Sequence, residues 1–249
     1  MSRKLLILLV CLICPTLISV SASASQALIN AVKAGNLQEV KKLLGDKHDP
    51  NAKDVKGDPA LFLALVARKL DVAKLLINSG ANVNSSNQFG APILHTAAGS
   101  GDISIVKLLL LKGADVNATF DRYEGITALM LAAQDGHKEV VDVLIAKGAD
   151  INARTTTGDT ALIAATANGH QAIVNMLLKK GADVNVVSNT GYSALFIAIS
   201  NINEDMVEFL LKNKADPNIR DKNGDNALAL AKRVKDPGII DILKKSGAQ

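Results

Sequence analysis

An all-α repeat fold, built from about seven helix–turn–helix units with short hairpin-like connecting loops, is predicted by three observations in this chain of 249 residues. A closing phrase returns at nearly fixed spacing: Gly80-Ala-Asn-Val-Asn84, Gly113-Ala-Asp-Val-Asn117, Gly148-Ala-Asp-Ile-Asn152 and Gly181-Ala-Asp-Val-Asn185, with reduced forms at Asp49-Pro-Asn51 and Ala215-Asp-Pro-Asn218. Its last asparagines stand at 51, 84, 117, 152, 185 and 218, a period of 33 residues with one step of 35. Leucines recur in two registers, Leu28, Leu61, Leu94, Leu129, Leu162, Leu195 and Leu228, then fifteen residues after each Leu43, Leu76, Leu109, Leu144, Leu177, Leu210 and Leu243. The chain is 48% hydrophobic but only 3% aromatic. A single globular core would be odd without large rings, whereas stacked Ala/Leu/Val helices need none, and a fixed period means one supersecondary unit stacked many times.

Within each unit the elements follow in order. The first helix is rich in alanine, as in Ala128 to Ala133 and Ala161 to Ala167, because small side chains let neighbouring helices approach closely. Thr127, Thr160, Ser193 and Asn226 stand where they can cap it. Pro59 and Pro92 occupy that place in units two and three, so a shifted cap such as Asp58 is expected there. A break then follows, clearest as Asp135-Gly-His137 and Asn168-Gly-His170. The second helix carries an apolar stripe at helical spacing, for example Val140, Val141, Leu144 and Ile145. Glycine ends it in five units, at Gly80, Gly113, Gly148, Gly181 and Gly247, where a left-handed residue is needed. Lys47 and Lys214 stand at the same place in two others and are expected to carry about 1 kcal/mol of local strain each. The units fall near 25–51, 52–84, 85–117, 118–152, 153–185, 186–218 and 219–249, read as one elongated solenoid over 25–249.

These residues carry a resemblance. The pattern Gly-x-Thr-x-Leu, then Gly-His, then Val-x-x-Leu, then Gly-Ala-Asp-Val-Asn, fullest over Gly125 to Asn152 and Gly158 to Asn185, resembles the ankyrin-repeat family across roughly residues 26–249. The chain departs from the family pattern in having Ala after the capping Thr, and in units six and seven, where Asn201-Ile-Asn203 and Val234-Lys-Asp-Pro-Gly238 replace the Gly-His turn. The resemblance implies a protein-binding module whose hairpin tips and first-helix ends form a concave face.

The first 24 residues read differently. Arg3 and Lys4, an apolar run from Leu5 to Cys14, Pro15, and Ala22-Ser-Ala24 have the layout of a secretory signal peptide cleaved after Ala24. Both cysteines, Cys11 and Cys14, lie inside it, so the mature chain carries no disulfide framework. Losing Arg3 and Lys4 takes the formal charge from +4 to +2, too little and too dispersed for a nucleic-acid partner. Lys107, Lys112, Lys138, Lys147, Lys179 and Lys180 read as a solvated face of the second helices. The expected location is the periplasm or exterior of a bacterium, with an uncleaved, anchoring leader as the alternative; no stable membrane span is expected after processing, and the mature chain is expected to be monomeric.

No catalytic constellation emerges. There is no Gly-x-Ser-x-Gly elbow and no phosphate-cradling loop, and no cysteine nucleophile survives processing. His137 and His170 are 33 residues apart because they share a repeat position, where each is expected to tether adjacent turns and not to bind metal. Asp115, Asp150, Asp183 and Asp216 recur in the closing phrase and read as turn hydrogen-bond acceptors. The reading is therefore no enzyme, no metal and no cofactor, with another protein as partner.

Candidate contact residues lie where the repeat is broken. The two extra residues fall in Ala118-Thr-Phe-Asp-Arg-Tyr-Glu124, and insertions in such stacks are pushed outward, often onto the binding face. Phe120, Arg122 and Tyr123 are the leading candidates. Ile126 joins them at the same tip, Phe89 and Tyr192 at other tips, and Gln134, Asp135 and Asn168 at first-helix ends. The function expected is an exported scaffold or protective partner; the alternative is an immunity or inhibitor protein that blocks a toxin or hydrolase active site.

Overall fold

The computed structural model describes residues 25–248; the expected leader and both cysteines lie outside the described residues. Helices occur in pairs. α1 covers described residues 25–34. It is followed by α2 (Leu37–Gly45), α3 (Ala60–Val66), α4 (Leu70–Asn78), α5 (Ile93–Gly99), α6 (Ile103–Leu111), α7 (Ala128–Gln134) and α8 (Lys138–Ala146). Then come α9 (Ala161–Ala167), α10 (Gln171–Lys179), α11 (Ala194–Ser200), α12 (Glu204–Lys212), α13 (Ala227–Val234) and α14 (Pro237–Lys245). After α1, the odd-numbered first helices have seven or eight residues, and each even-numbered second helix has nine. The all-α repeat class expected from the sequence is the one observed, and all fourteen leucine anchors are buried, Leu228 being the most accessible at 9%.

The described chain clusters into two compact groups, one reaching to Thr96 with Leu111–Ala114, the other comprising Ala97–Leu110 and everything from Asp115 onward. In the first, α4 packs on both α2 and α3. In the second, α7, α9, α11 and α13 lie in succession against one another, each backed by its own second helix. Alanine makes that approach possible: Ala128, Ala132, Ala161, Ala165 and Ala194 are fully buried, so the backbones meet over methyl groups and exclude water without long side chains. The second helices bury a narrow stripe, such as Val140, Val141 and Leu144 in α8 and Ile173, Val174 and Leu177 in α10. The six lysines expected on their far side are all exposed.

The closing phrase proves to be a hydrogen-bond ladder. Asp115 Oδ1 accepts from Asn117 N at 2.9 Å, and Asp150, Asp183 and Asp216 do the same for the asparagine two residues on. The asparagine then bridges to the next repeat in both directions: Asn117 Nδ2 donates to Gly148 O while its Oδ1 accepts from Asp150 N. Asn152 and Asn185 repeat this bridge, Asn185 donating to Lys214 O. In the first group, Asn82 N donates to Asn51 Oδ1 and Asn84 Nδ2 to Gly113 O. One side chain thus satisfies an acceptor and a donor that a helix terminus would otherwise leave to water.

Thr127, Thr160, Ser193 and Asn226 cap α7, α9, α11 and α13 as expected, each accepting from the amide three residues on. Asp58 does not cap α3. Pro59 is the N-cap there and makes no side-chain cap bond. The buried Asp58 carboxylate accepts instead from the neighbouring tip, Gln88 N at 2.8 Å and Gln88 Nε2 at 3.3 Å. A proline N-cap has no hydroxyl or carboxylate to offer, and Asp58, one residue earlier, is better placed for the next hairpin than for its own helix.

Between paired helices every turn passes through a left-handed residue. Gly136 fills this slot with no room for a Cβ, which would lie 2.7 Å from the His170 ring. His137 Nε2 lies 2.9 Å from Gly99 O and His170 Nε2 2.9 Å from Gln134 O, so each imidazole ties a turn to the preceding first helix. In unit six the slot holds Ile202 at φ 52°, a β-branched residue in a region where its Cβ crowds the backbone. Lys47 and Lys214 likewise keep the left-handed geometry expected of them, at φ 65° and 70°.

Candidate binding face

Hairpin tips of the regular kind are clamped from within. The tip at 155–159 closes with Thr155 N donating to Asp159 O at 2.9 Å and Gly158 N to Thr155 O at 2.8 Å. The Thr155 hydroxyl accepts in turn from Asp159 N at 3.0 Å. Ser188 performs this role for the tip ending at Tyr192, and Asp221 for the tip ending at Asp225. In the first group Asp54 and Asn87 each accept two such amides. One short acceptor side chain, three residues before a glycine, thus holds each of these turns. Sequence reading missed this role, although its signal was present as Asp, Asn, Thr, Ser or Asp at 54, 87, 155, 188 and 221.

In unit four that position is Arg122, which has five donors and no acceptor. The tip is built another way. The two extra residues let a short strand β1 (Thr119–Phe120) pair antiparallel with β2 (Ile126–Thr127), Phe120 standing opposite Ile126. A 3-10 turn over Asp121–Tyr123 and a left-handed Glu124 at φ 58° cross between them, with Gly125 N donating to Phe120 O at 3.2 Å. Phe120 is 9% exposed, with its ring centroid 4.8 Å from that of Tyr123. It is therefore not an exposed contact anchor: it is the support under Tyr123, whose own side is 66% exposed. The pairing sets Phe120 beside half-buried Ile126, and the Tyr123 ring lies against it.

Glu124 joins this tip to the next. Its carbonyl accepts from Thr156 N at 2.7 Å, and its Oε2 lies 3.2 Å from the Thr157 hydroxyl, which also lies 2.8 Å from Asp159 Oδ2. Below the two tips, along α7, α9 and the start of unit six, an open pocket of about 610 Å³ is formed within the second group. Arg122, Tyr123 and Ile126 line its tip side, Gln134 and Asn168 the helix-end side. Its floor is Met130, Ile163, Ala164 and Ile197. Five predicted residues are thus brought together from unit four and unit five.

The other predicted contact residues stand apart from this pocket. Asp135 is exposed beside Gln134 at the end of α7 and does not line it. Tyr192, 39% exposed, has its ring 6.3 Å from the fully buried Phe196. Phe89 is 53% exposed on a tip of the first group. The floor went unnamed in the sequence. Its signal is a large apolar residue just past the leucine anchor, Met130 after Leu129 and Ile163 after Leu162, in alanine-rich helices.

Among the described residues no group of three or more His, Cys, Asp or Glu is placed to hold a metal ion, and no helix is long and apolar enough to cross a membrane. Comparison with protein families gives two matches. A model of ankyrin repeats in three copies fits residues 28–120 and again 94–188, and a model of ankyrin repeats in many copies fits residues 177–231. No curated protein matches the chain.

Proposed function

We propose, since this chain belongs to the ankyrin-repeat family, a family of protein–protein interaction modules that are generally non-catalytic, that it acts as an exported scaffold or protective partner for another protein. The partner docks on the pocket beneath the tips at 119–127 and 155–159. The observation that carries this reading is Tyr123, a ring 66% exposed over an apolar floor and propped by buried Phe120. Aromatic anchors beside a water-excluding apolar surface are where binding energy concentrates. Export rests on the sequence of the first 24 residues.

Two measurements test the proposal. A photo-crosslinking residue placed at Tyr123 is expected to capture a partner that the same residue at Lys147, exposed just past the end of α8, does not capture; equal capture at both positions refutes the site. Fractionation with N-terminal sequencing is expected to find the chain outside the cytoplasm and beginning at Ser25. A cytoplasmic chain that keeps Met1 refutes export.

A further inference from the structure

We propose that this pocket selects a protein segment presenting a single carboxylate beside a bulky apolar side chain, with Arg122 as the group that reads the carboxylate. The inference rests on the docking site proposed above and adds the chemistry of what docks there.

Arg122 stands at the one tip position that, in five other units, holds an acceptor used to clamp the turn. A guanidinium cannot do that work, and the two-residue excess with its β1–β2 pairing does it instead. The arginine is thereby released from the fold: it lines the pocket, is exposed, and makes no hydrogen bond or ion pair with any described residue. The other charged groups on the rim are not released in this way. Glu124 and Asp159 both lie against the Thr157 hydroxyl, and the backbone of each is bonded within the paired tips.

An unpaired guanidinium at the edge of an apolar floor is matched by a carboxylate, which it can hold through two parallel N–H···O bonds. The floor of Met130, Ile163, Ala164 and Ile197 offers no polar side chain and takes an apolar group. About 610 Å³ is room for a few side chains of an extended segment, not for a folded surface. Glu124 and Asp159 set the limit on charge: a run of acidic residues entering the pocket meets two fixed carboxylates, so one carboxylate is favoured and several are rejected.

The test is selection from a random peptide library on the full immobilised chain. Expected is enrichment of peptides with one Asp or Glu within about three residues of Leu, Ile, Met or Phe, the reach of an extended segment across such a pocket. On the Arg122→Glu variant the acidic preference is expected to change to Lys or Arg, and a peptide selected on the native chain to bind at least about tenfold more weakly. Thermal unfolding of the variant confirms that it remains folded. Ala164→Phe, which fills the floor, separates the two readings. Peptides lost on Ala164→Phe but indifferent to charge at position 122 overturn this inference and leave the docking site standing. Peptides indifferent to both substitutions overturn both, and so does a library from which nothing is enriched.

Discussion

The tips at 155–159 and 119–127 perform the same duty, turning the chain back into a first helix, with opposite allocation of side chains. In the first, Thr155 is committed to the turn: its hydroxyl accepts Asp159 N and lies 2.7 Å from the Thr157 hydroxyl. In the second the backbone of β1 and β2 closes the turn, Phe120 fills its underside, and Arg122 and Tyr123 are left facing the pocket. A repeat fold has a fixed list of structural duties per unit. Side chains become available for binding where a duty is reassigned, and the two-residue insertion is what reassigns it here.

The comparison requires the stack beneath both tips to be independent of how each is closed, and the largest expected effect tests that. Leu162→Ala, at an anchor 1% exposed in α9, should destabilise the chain by about 3 kcal/mol in denaturant unfolding, through lost transfer energy and the cavity left behind. The same loss is expected in a chain that also carries Arg122→Thr. Non-additivity above about 0.5 kcal/mol would show that tip and stack are coupled.

Exchanging the two side chains directly comes next. Thr155→Arg removes the acceptor of a regular tip without supplying extra residues, and should cost about 1–2 kcal/mol with faster hydrogen exchange at the Asp159 amide. Arg122→Thr should change stability by no more than about 0.5 kcal/mol, because the turn does not use that side chain. Equal costs for the two substitutions would mean that Arg122 has a structural duty after all.

What the sequence made legible divides along the same line. The anchors, caps, histidine tethers and turn aspartates were readable because each recurs every 33 residues, and recurrence separates a structural duty from noise. Arg122, Tyr123, Ile126, Gln134 and Asn168 were readable as a group because they lie at places where the repeat pattern faces outward or breaks. Phe120 was misplaced because exposure within an insertion depends on strand pairing: its position opposite Ile126 is a matter of register, which a single insertion does not reveal. Asp58 was misassigned for a related reason, since its partner lies in the next hairpin at Gln88 and not in the adjacent helix. Met130 and Ile163 escaped notice because a large side chain next to the leucine anchor reads equally well as core.

A smaller effect, of opposite sign, is expected at the turns between paired helices. Gly136 and Gly169 fill the left-handed slot in units four and five, whereas Ile202 fills it at φ 52° with 54% of its surface exposed. Ile202→Gly should stabilise the chain by about 1 kcal/mol, since little apolar burial is lost and the crowding of Cβ against the backbone is removed. A fall in the unfolding midpoint would mean that the isoleucine makes up for its backbone strain by packing.

The smallest expected effect separates clamps by chemistry. Asp54 holds its tip with a carboxylate, as Thr155 does with a hydroxyl, and the Lys33 ammonium 2.9 Å away, aided by the amides of Asp58 and Lys56, keeps the Asp54 carboxyl below its ordinary 3.8 against the opposing pull of burial. A carboxyl depressed in the folded state contributes stability that is complete above its unfolded value, and this is lost as pH falls through the lower folded value. Below about pH 4 the clamp at 54–58 should therefore weaken while the hydroxyl clamp at 155–159 does not, and hydrogen exchange at the Asp58 amide should rise ahead of that at Asp159. Asp54→Asn isolates the cause. Asn87 shows that an amide oxygen can accept the same two backbone groups, so the variant keeps the turn and loses only the titration and the ion pair. With Lys33 half exposed, the loss at neutral pH should stay under about 1 kcal/mol. The acid-dependent rise at Asp58 should vanish in the variant; if it persists, a group other than Asp54 governs the acid response of this tip.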